Sequence, residues 1–113
     1  DYGILTDEIY KSTFGLSTSQ YKILKGIEKT KRNLRDSMGN LELAITNLAE
    51  VTANEIHNVN NSYGLKELKV DVGKAGRITG KAREDIEKEI GKKVTDRTNY
   101  KTLTKNKIQK LPN

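Results

Sequence analysis

The sequence predicts an all-α domain, and three observations carry that prediction. The only proline is Pro112, so no helix is interrupted before the last two residues. Apolar residues recur at three- and four-residue steps over two long stretches, the period of a helix with one buried face. No alternation of apolar and polar residues persists beyond a few positions, so no strand is expected.

The elements follow in order. Thr6, Asp7 and Glu8 open a first short helix, a hydroxyl cap followed by acids that suit the positive end of the helix dipole. It carries Ile9, Tyr10 and Phe14 and stops at Gly15. Ser17 or Thr18 caps a second short helix with Tyr21, Leu24 and Ile27 turned inward. The stretch 28–37 is basic with Leu34 its one aliphatic, and reads either as a loop or as a short helix. Asn40 caps a long amphipathic helix over 40–59, with Leu41, Ala44, Ile45, Leu48, Ala49, Thr52 and Ile56 on its apolar stripe. Asn58, Asn60, Asn61, Ser62 and Gly64 make a loop. Leu65, Leu68, Val72, Ala75, Thr79, Ala82, Ile86 and Ile90 mark a second long helix over 65–90, closed by Gly91-Lys92-Lys93. The link between the long helices is short, so they should lie antiparallel with their stripes facing. Residues 94–113 read as a basic tail, because Tyr100, Leu103, Ile108 and Leu111 are spaced too widely to form a core by themselves.

Composition narrows the function classes. The 113 residues suit a single domain, 1–113, expected to be the C-terminal region of a longer protein. Ile, Leu, Val and Phe total 27 residues, enough for a lean core that a partner could help to cover. There is no cysteine, hence no disulfide, thiolate nucleophile or Cys-based zinc site. No apolar run approaches membrane-spanning length and no basic-then-apolar leader opens the chain, so a cytoplasmic protein without a membrane partner is expected. The net charge of +6 is uneven: residues 61–113 hold 14 Lys/Arg against 7 Asp/Glu, whereas residues 1–60 hold 7 against 8. Within 22–35, Lys22, Lys25, Lys29, Lys31, Arg32 and Arg35 face only Glu28. Such clusters favour an anionic partner.

Four groupings have chemical content. Residues 7–24 place Tyr10, Phe14, Leu16, Tyr21 and Leu24 where a helix-turn-helix needs inward side chains. Thr18, Ser19 and Gln20 would then begin the helix that enters the major groove and read base edges. Lys11 departs from the small residue such motifs use at that position, and an ordinary helical hairpin with a solvated face is the plainer alternative. The six cations of 22–35 would supply phosphate contacts, and the absence of aromatics between them speaks for duplex backbone rather than single strands. Gly73, Gly76 and Gly80 each cost about 1 kcal/mol relative to alanine inside a helix, which points to close helix packing within the chain or across a dimer. There is no Gly-Lys-Ser/Thr after a strand, so a nucleotide cradle is disfavoured, although Arg77, Lys81 and Arg83 could reach an anion from the flank. Glu50, Asn54 and His57 share a helix face, but a lone histidine completes no known metal pattern. No catalytic grouping emerges, and neither metal nor cofactor is expected.

Two stretches, 33–43 continuing through 48–56 and 73–83 continuing to Ile86, Glu87, Gly91 and Val94, together resemble the C-terminal region of the damage-inducible protein D family, allied to BRO-type prophage antirepressors. The resemblance runs from about Leu5 to Tyr100. It implies a bacterial or prophage protein of the DNA-damage response or of lysogeny control. The domain implied is regulatory and non-enzymatic, following a BRO-type part associated with DNA. The expected partners are a repressor or DNA-repair protein, duplex DNA, and a second copy of the chain. A direct duplex-DNA-binding helix-turn-helix domain is the alternative function.

Overall fold

The computed structural model describes residues 2–97 and 99. Four α-helices and one short 3₁₀ helix make up the described chain, in the order α1 (Tyr2–Phe14), α2 (Thr18–Lys25), the 3₁₀ helix (Leu34–Ser37), α3 (Asn40–Asn60) and α4 (Leu65–Ile90), with no strand among the described residues. The domain is therefore small and all-α.

Local chemistry sets most boundaries. Helix α1 ends at Gly15, which adopts φ 74°, a conformation most side chains avoid. The Ser17 hydroxyl accepts from the Gln20 N–H at 3.1 Å, and the Gln20 side chain accepts from the Ser17 N–H at 2.8 Å, a reciprocal cap that starts α2. Helix α3 is capped one residue earlier than expected, at Gly39, whose N–H donates to Glu42 Oε1 at 3.0 Å. It ends at Asn61, the one non-glycine residue with positive φ among those described. Helix α1 starts a full turn before Thr6, because Leu5 packs onto the Ile9 cluster and makes the extra turn worth forming.

Helix α4 is the central beam, packed on both α1 and α3. The short link 61–64 turns α3 back on α4, and Asp71 ties the two together by accepting from Asn60 Nδ2 at 3.2 Å and bonding His57 Nδ1 at 2.9 Å. Against α1 the fit is tighter. A Cβ at Gly76 would lie 1.8 Å from Ser12 Oγ, and one at Gly80 would lie 2.9 Å from the Ser12 carbonyl oxygen, so only glycine lets the backbones approach this closely. Gly73 differs from its two neighbours in the stripe: nothing lies within 4 Å of a Cβ placed there, so it takes no part in the close contact.

The core has two parts. Tyr10, Phe14, Tyr21, Ile27, Leu34, Met38 and Ile45 form one, with Tyr21 edge-on to Phe14 at 5.3 Å and to Tyr10 at 5.7 Å between ring centres. Val94 closes this cluster, so the packed body reaches past the expected start of the tail. The rest of that tail, with Tyr100, Leu103, Ile108 and Leu111, lies outside the described residues. Ile9, Ala49, Ala53, Val72 and Ala75 form the second part, made largely of small side chains where the three long helices converge.

One stripe is rotated from its expected place. Helix α3 buries Glu42, Ile45, Thr46, Ala49 and Ala53, and leaves Leu41, Ala44 and Leu48 exposed. Glu42 is drawn inward by two donors from α2, and the helix turns with it.

Candidate functional site

The cations of 22–35 separate on folding. Lys25 is almost fully buried; its Nζ donates to Glu42 Oε1 at 2.8 Å and pairs with Asp96 Oδ1 at 3.4 Å. The Tyr21 hydroxyl donates to the other Glu42 oxygen, and burial together with that bond pushes the phenol far above its ordinary range. A lysine held this way cannot present its charge to a phosphate, and Lys25 leaves the set of DNA contacts for the role of a core ion pair. Arg35 is half-buried and bound to Glu50 at 2.5 Å and to Tyr10; the Glu50 contact holds its pKa above the usual value. Lys29, Lys31 and Arg32 are exposed and Lys22 partly so, with no ion pair to any of them among the described residues.

The helix-start residues are also partly committed. Asp7 Oδ1 accepts from the Thr18 N–H at 2.7 Å, and that bond is the main reason the Asp7 carboxyl sits below its ordinary value. Gln20 holds the α2 cap and would have to release Ser17 to meet a base edge. Ser19 is exposed, and the same face carries Ile23, which is 61% exposed.

A second basic surface lies on α4. An open groove of about 940 Å³ runs between α1 and α4, with Gly73 and Gly80 in its lining. Lys69, Lys74, Arg77, Lys81 and Arg83 line it against only Glu8 and Glu84. Arg83 is engaged within the fold: its Nε–H donates to the Thr13 carbonyl at 2.8 Å, capping the end of α1, and its Nη1 bonds Glu87 at 2.7 Å. Lys69, Lys74, Arg77 and Lys81 are exposed and form no ion pair among the described residues. A second opening of about 490 Å³ shares Glu84 with the first and adds Lys88, Lys92 and Lys93, prolonging the basic surface past the end of α4. From Lys69 to Lys88 the helix runs about 29 Å.

The physical cause of this surface is segregation along one helix. Three acids of α4 are used elsewhere, Asp71 by His57 and Asn60, Glu87 by Arg83 and by the Val94 N–H at 2.9 Å, and Glu67 by the Tyr63 N–H at 3.1 Å, while Glu84, at the edge of the groove, pairs with Arg83 at 3.7 Å. Among the described residues no aromatic side chain lines the groove, so they offer charge without a platform for stacked bases. Part of its charge was visible in the sequence, where Arg77, Lys81 and Arg83 stand on a stretch with no acid between Asp71 and Glu84; that Lys69 and Lys74 join them was not.

Glu50, Asn54 and His57 do not assemble a metal site. Glu50 turns to Arg35 and His57 to Asp71, and no group of three or more His, Asp or Glu suited to a metal occurs among the described residues. Among the described residues no helix is long and apolar enough to cross a membrane. No protein-family model, curated protein or solved structure matches the chain.

Proposed function

We propose that this chain is a non-enzymatic interaction domain of a cytoplasmic regulator, of the DNA-damage or prophage antirepressor kind, that holds duplex DNA by its phosphate backbone while a protein partner provides the regulatory contact. The observation that carries the DNA part is the row of four exposed cations, Lys69, Lys74, Arg77 and Lys81, lining one open groove without an ion pair among the described residues. Lysine and arginine facing solvent at successive helix turns suit a regular array of phosphates, and release of condensed counterions supplies the affinity. The regulatory context rests on the resemblance of residues 33–56 and 73–94 described above. The non-enzymatic reading is supported by how the polar side chains nearest the core are used: the Tyr21–Glu42–Lys25, His57–Asp71 and Arg35–Glu50 groups are saturated by bonds that hold helices together.

Direct base reading by α2 has less support. Of its three reading residues, Thr18 and Gln20 serve caps, and the adjacent Lys25 is internal. The exposed Lys29, Lys31 and Arg32 remain available as auxiliary phosphate contacts.

Titration of the chain with a short mixed-sequence duplex at two salt concentrations tests this reading. Four phosphate contacts give a log–log salt slope of about −3.6, nearly independent of sequence. Binding that does not change with salt, or no binding at roughly 100 µM in low salt, overturns it.

A further inference from the structure

Helix α4 carries three glycines, and packing accounts for two of them. Gly76 and Gly80 lie against Ser12 and Thr13, where a Cβ has no room. Gly73 is half-buried, yet nothing stands within 4 Å of a Cβ built on it. Glycine in a helix interior is destabilising relative to alanine, and no contact within the domain offsets that cost here.

The surroundings of Gly73 are those of the basic groove. On a helix the surface neighbours of a residue stand three and four positions away. For Gly73 these are Lys69 and Arg77, one turn to either side, with Val70 and Gly76 between the rows. Lys69 and Arg77 are both exposed and lie about 12 Å apart along the axis. Gly73 is thus a bare patch of groove floor between the α1 contact and the cations. The facing wall, on α1, differs in kind. Ser12 donates its hydroxyl to the Glu8 carbonyl at 2.6 Å, and the Glu8 carboxylate lines the groove without an ion pair among the described residues.

We propose that Gly73 is the seat at which one sugar–phosphate strand of bound DNA enters the groove, with Lys69 and Arg77 reaching phosphates on either side of it. This rests on the phosphate-backbone reading above and adds the depth at which the strand lies. A strand carried on the tips of the long side chains needs no glycine beneath it and stands clear of Glu8. A strand seated on Gly73 is flanked by cations rather than touched from one side, and its phosphates come close enough to Glu8 to be opposed by it. Two side chains of unlike chemistry, one absent and one acidic, therefore report the same depth.

Duplex titration of full-length variants at about 100 mM salt tests the seat. Gly73→Ala and Gly73→Leu leave every charge in place and exchange glycine for better helix formers in open space, so both should melt no lower than the parent. Affinity should fall about twofold with alanine and about tenfold with leucine, as the side chain lifts the strand from the floor. Glu8→Gln should raise affinity about threefold. Glu55→Gln makes the same charge change at an exposed position of α3 outside the groove lining, and screening should hold its effect within about 1.5-fold. Parental affinity in Gly73→Leu, or equal gains from Glu8→Gln and Glu55→Gln, would overturn the seat and leave the DNA reading standing. Absence of salt-dependent binding by the parent chain would overturn that reading and the seat with it.

Discussion

The two basic regions of this domain differ in a way that their sequences conceal. Residues 22–35 carry six cations against one acid, the denser run by far. Yet folding removes Lys25 into the core and binds Arg35 to Glu50. Helix α4 holds nearly as many acids as cations over its length, but none between Asp71 and Glu84, and folding leaves Lys69, Lys74, Arg77 and Lys81 together on one groove. Charge density along a chain and charge available to a ligand are separate quantities. What converts one into the other is which side chains the tertiary contacts consume.

Substituting one cation in each region should break this comparison most visibly. Lys25→Met leaves Glu42 buried beside an apolar side chain and should cost about 3–5 kcal/mol in chemical denaturation. Lys74→Met, at an exposed position, should stay within about 0.5 kcal/mol of the parent. Equal losses in the two variants would mean that Lys25 is not the core residue described here.

The groove depends on how closely α1 lies on α4. Gly76→Leu drives a side chain into Ser12 and should destabilise the domain by about 1–3 kcal/mol through overpacking. Binding sharpens the comparison further. Lys74→Ala combined with Arg77→Ala removes two phosphate contacts and should flatten the salt slope by about 1.8, roughly a tenfold smaller loss of affinity between about 50 and 200 mM salt. If neutralising Lys29, Lys31 and Arg32 flattens the slope more than that, the loop is the principal contact and α4 the auxiliary one. Gly73→Ala should change stability in the opposite direction to Gly76→Leu: with open space around it, alanine should stabilise the helix by about 0.5–1 kcal/mol in thermal unfolding.

A pH titration probes the hairpin that carries the groove. Hydrogen bonds from Ser62, His57 and Asn60 hold the Asp71 carboxyl below its ordinary value of 3.8. A carboxylate with a depressed folded pKa contributes fully above its unfolded value, and the contribution fades as pH falls through the folded one. Unfolding followed below about pH 4 should therefore show a loss in the parent that Asp71→Asn lacks.

The long helices, their antiparallel arrangement and the glycine that closes α4 are legible in the sequence, because periodicity and caps act within a few residues. Less legible are features decided at a distance. The buried face of α3 is turned towards Glu42 because Tyr21 and Lys25 wait for it on another helix, and no local pattern announces a buried glutamate. Val94 falls in a stretch too basic and too sparse to read as core, yet it completes the aromatic cluster. The three glycines of α4 look equivalent in the sequence. Only the position of Ser12 and Thr13, more than sixty residues away, distinguishes Gly76 and Gly80 from Gly73. The α4 groove was legible in part, in Arg77, Lys81 and Arg83; that Lys69 and Lys74 share it, and that Arg83 is engaged by the Thr13 carbonyl and Glu87, is decided by the packing of α1.

The seating of α1 on bare α4 backbone also has a kinetic meaning. His57 and Asp71 are 14 positions apart, so the α3–α4 hairpin can assemble from neighbours in sequence. The Thr13–Thr79 and Arg83–Thr13 bonds span 66 and 70 positions and close a far larger loop. Contacts of long sequence separation form late and slow the folding of small domains. The hairpin is thus the cooperative unit that forms first, and α1 the strut that locks onto it afterwards. In native-state hydrogen exchange, α1 should release its amides through a smaller opening than the one that frees the middle of α4.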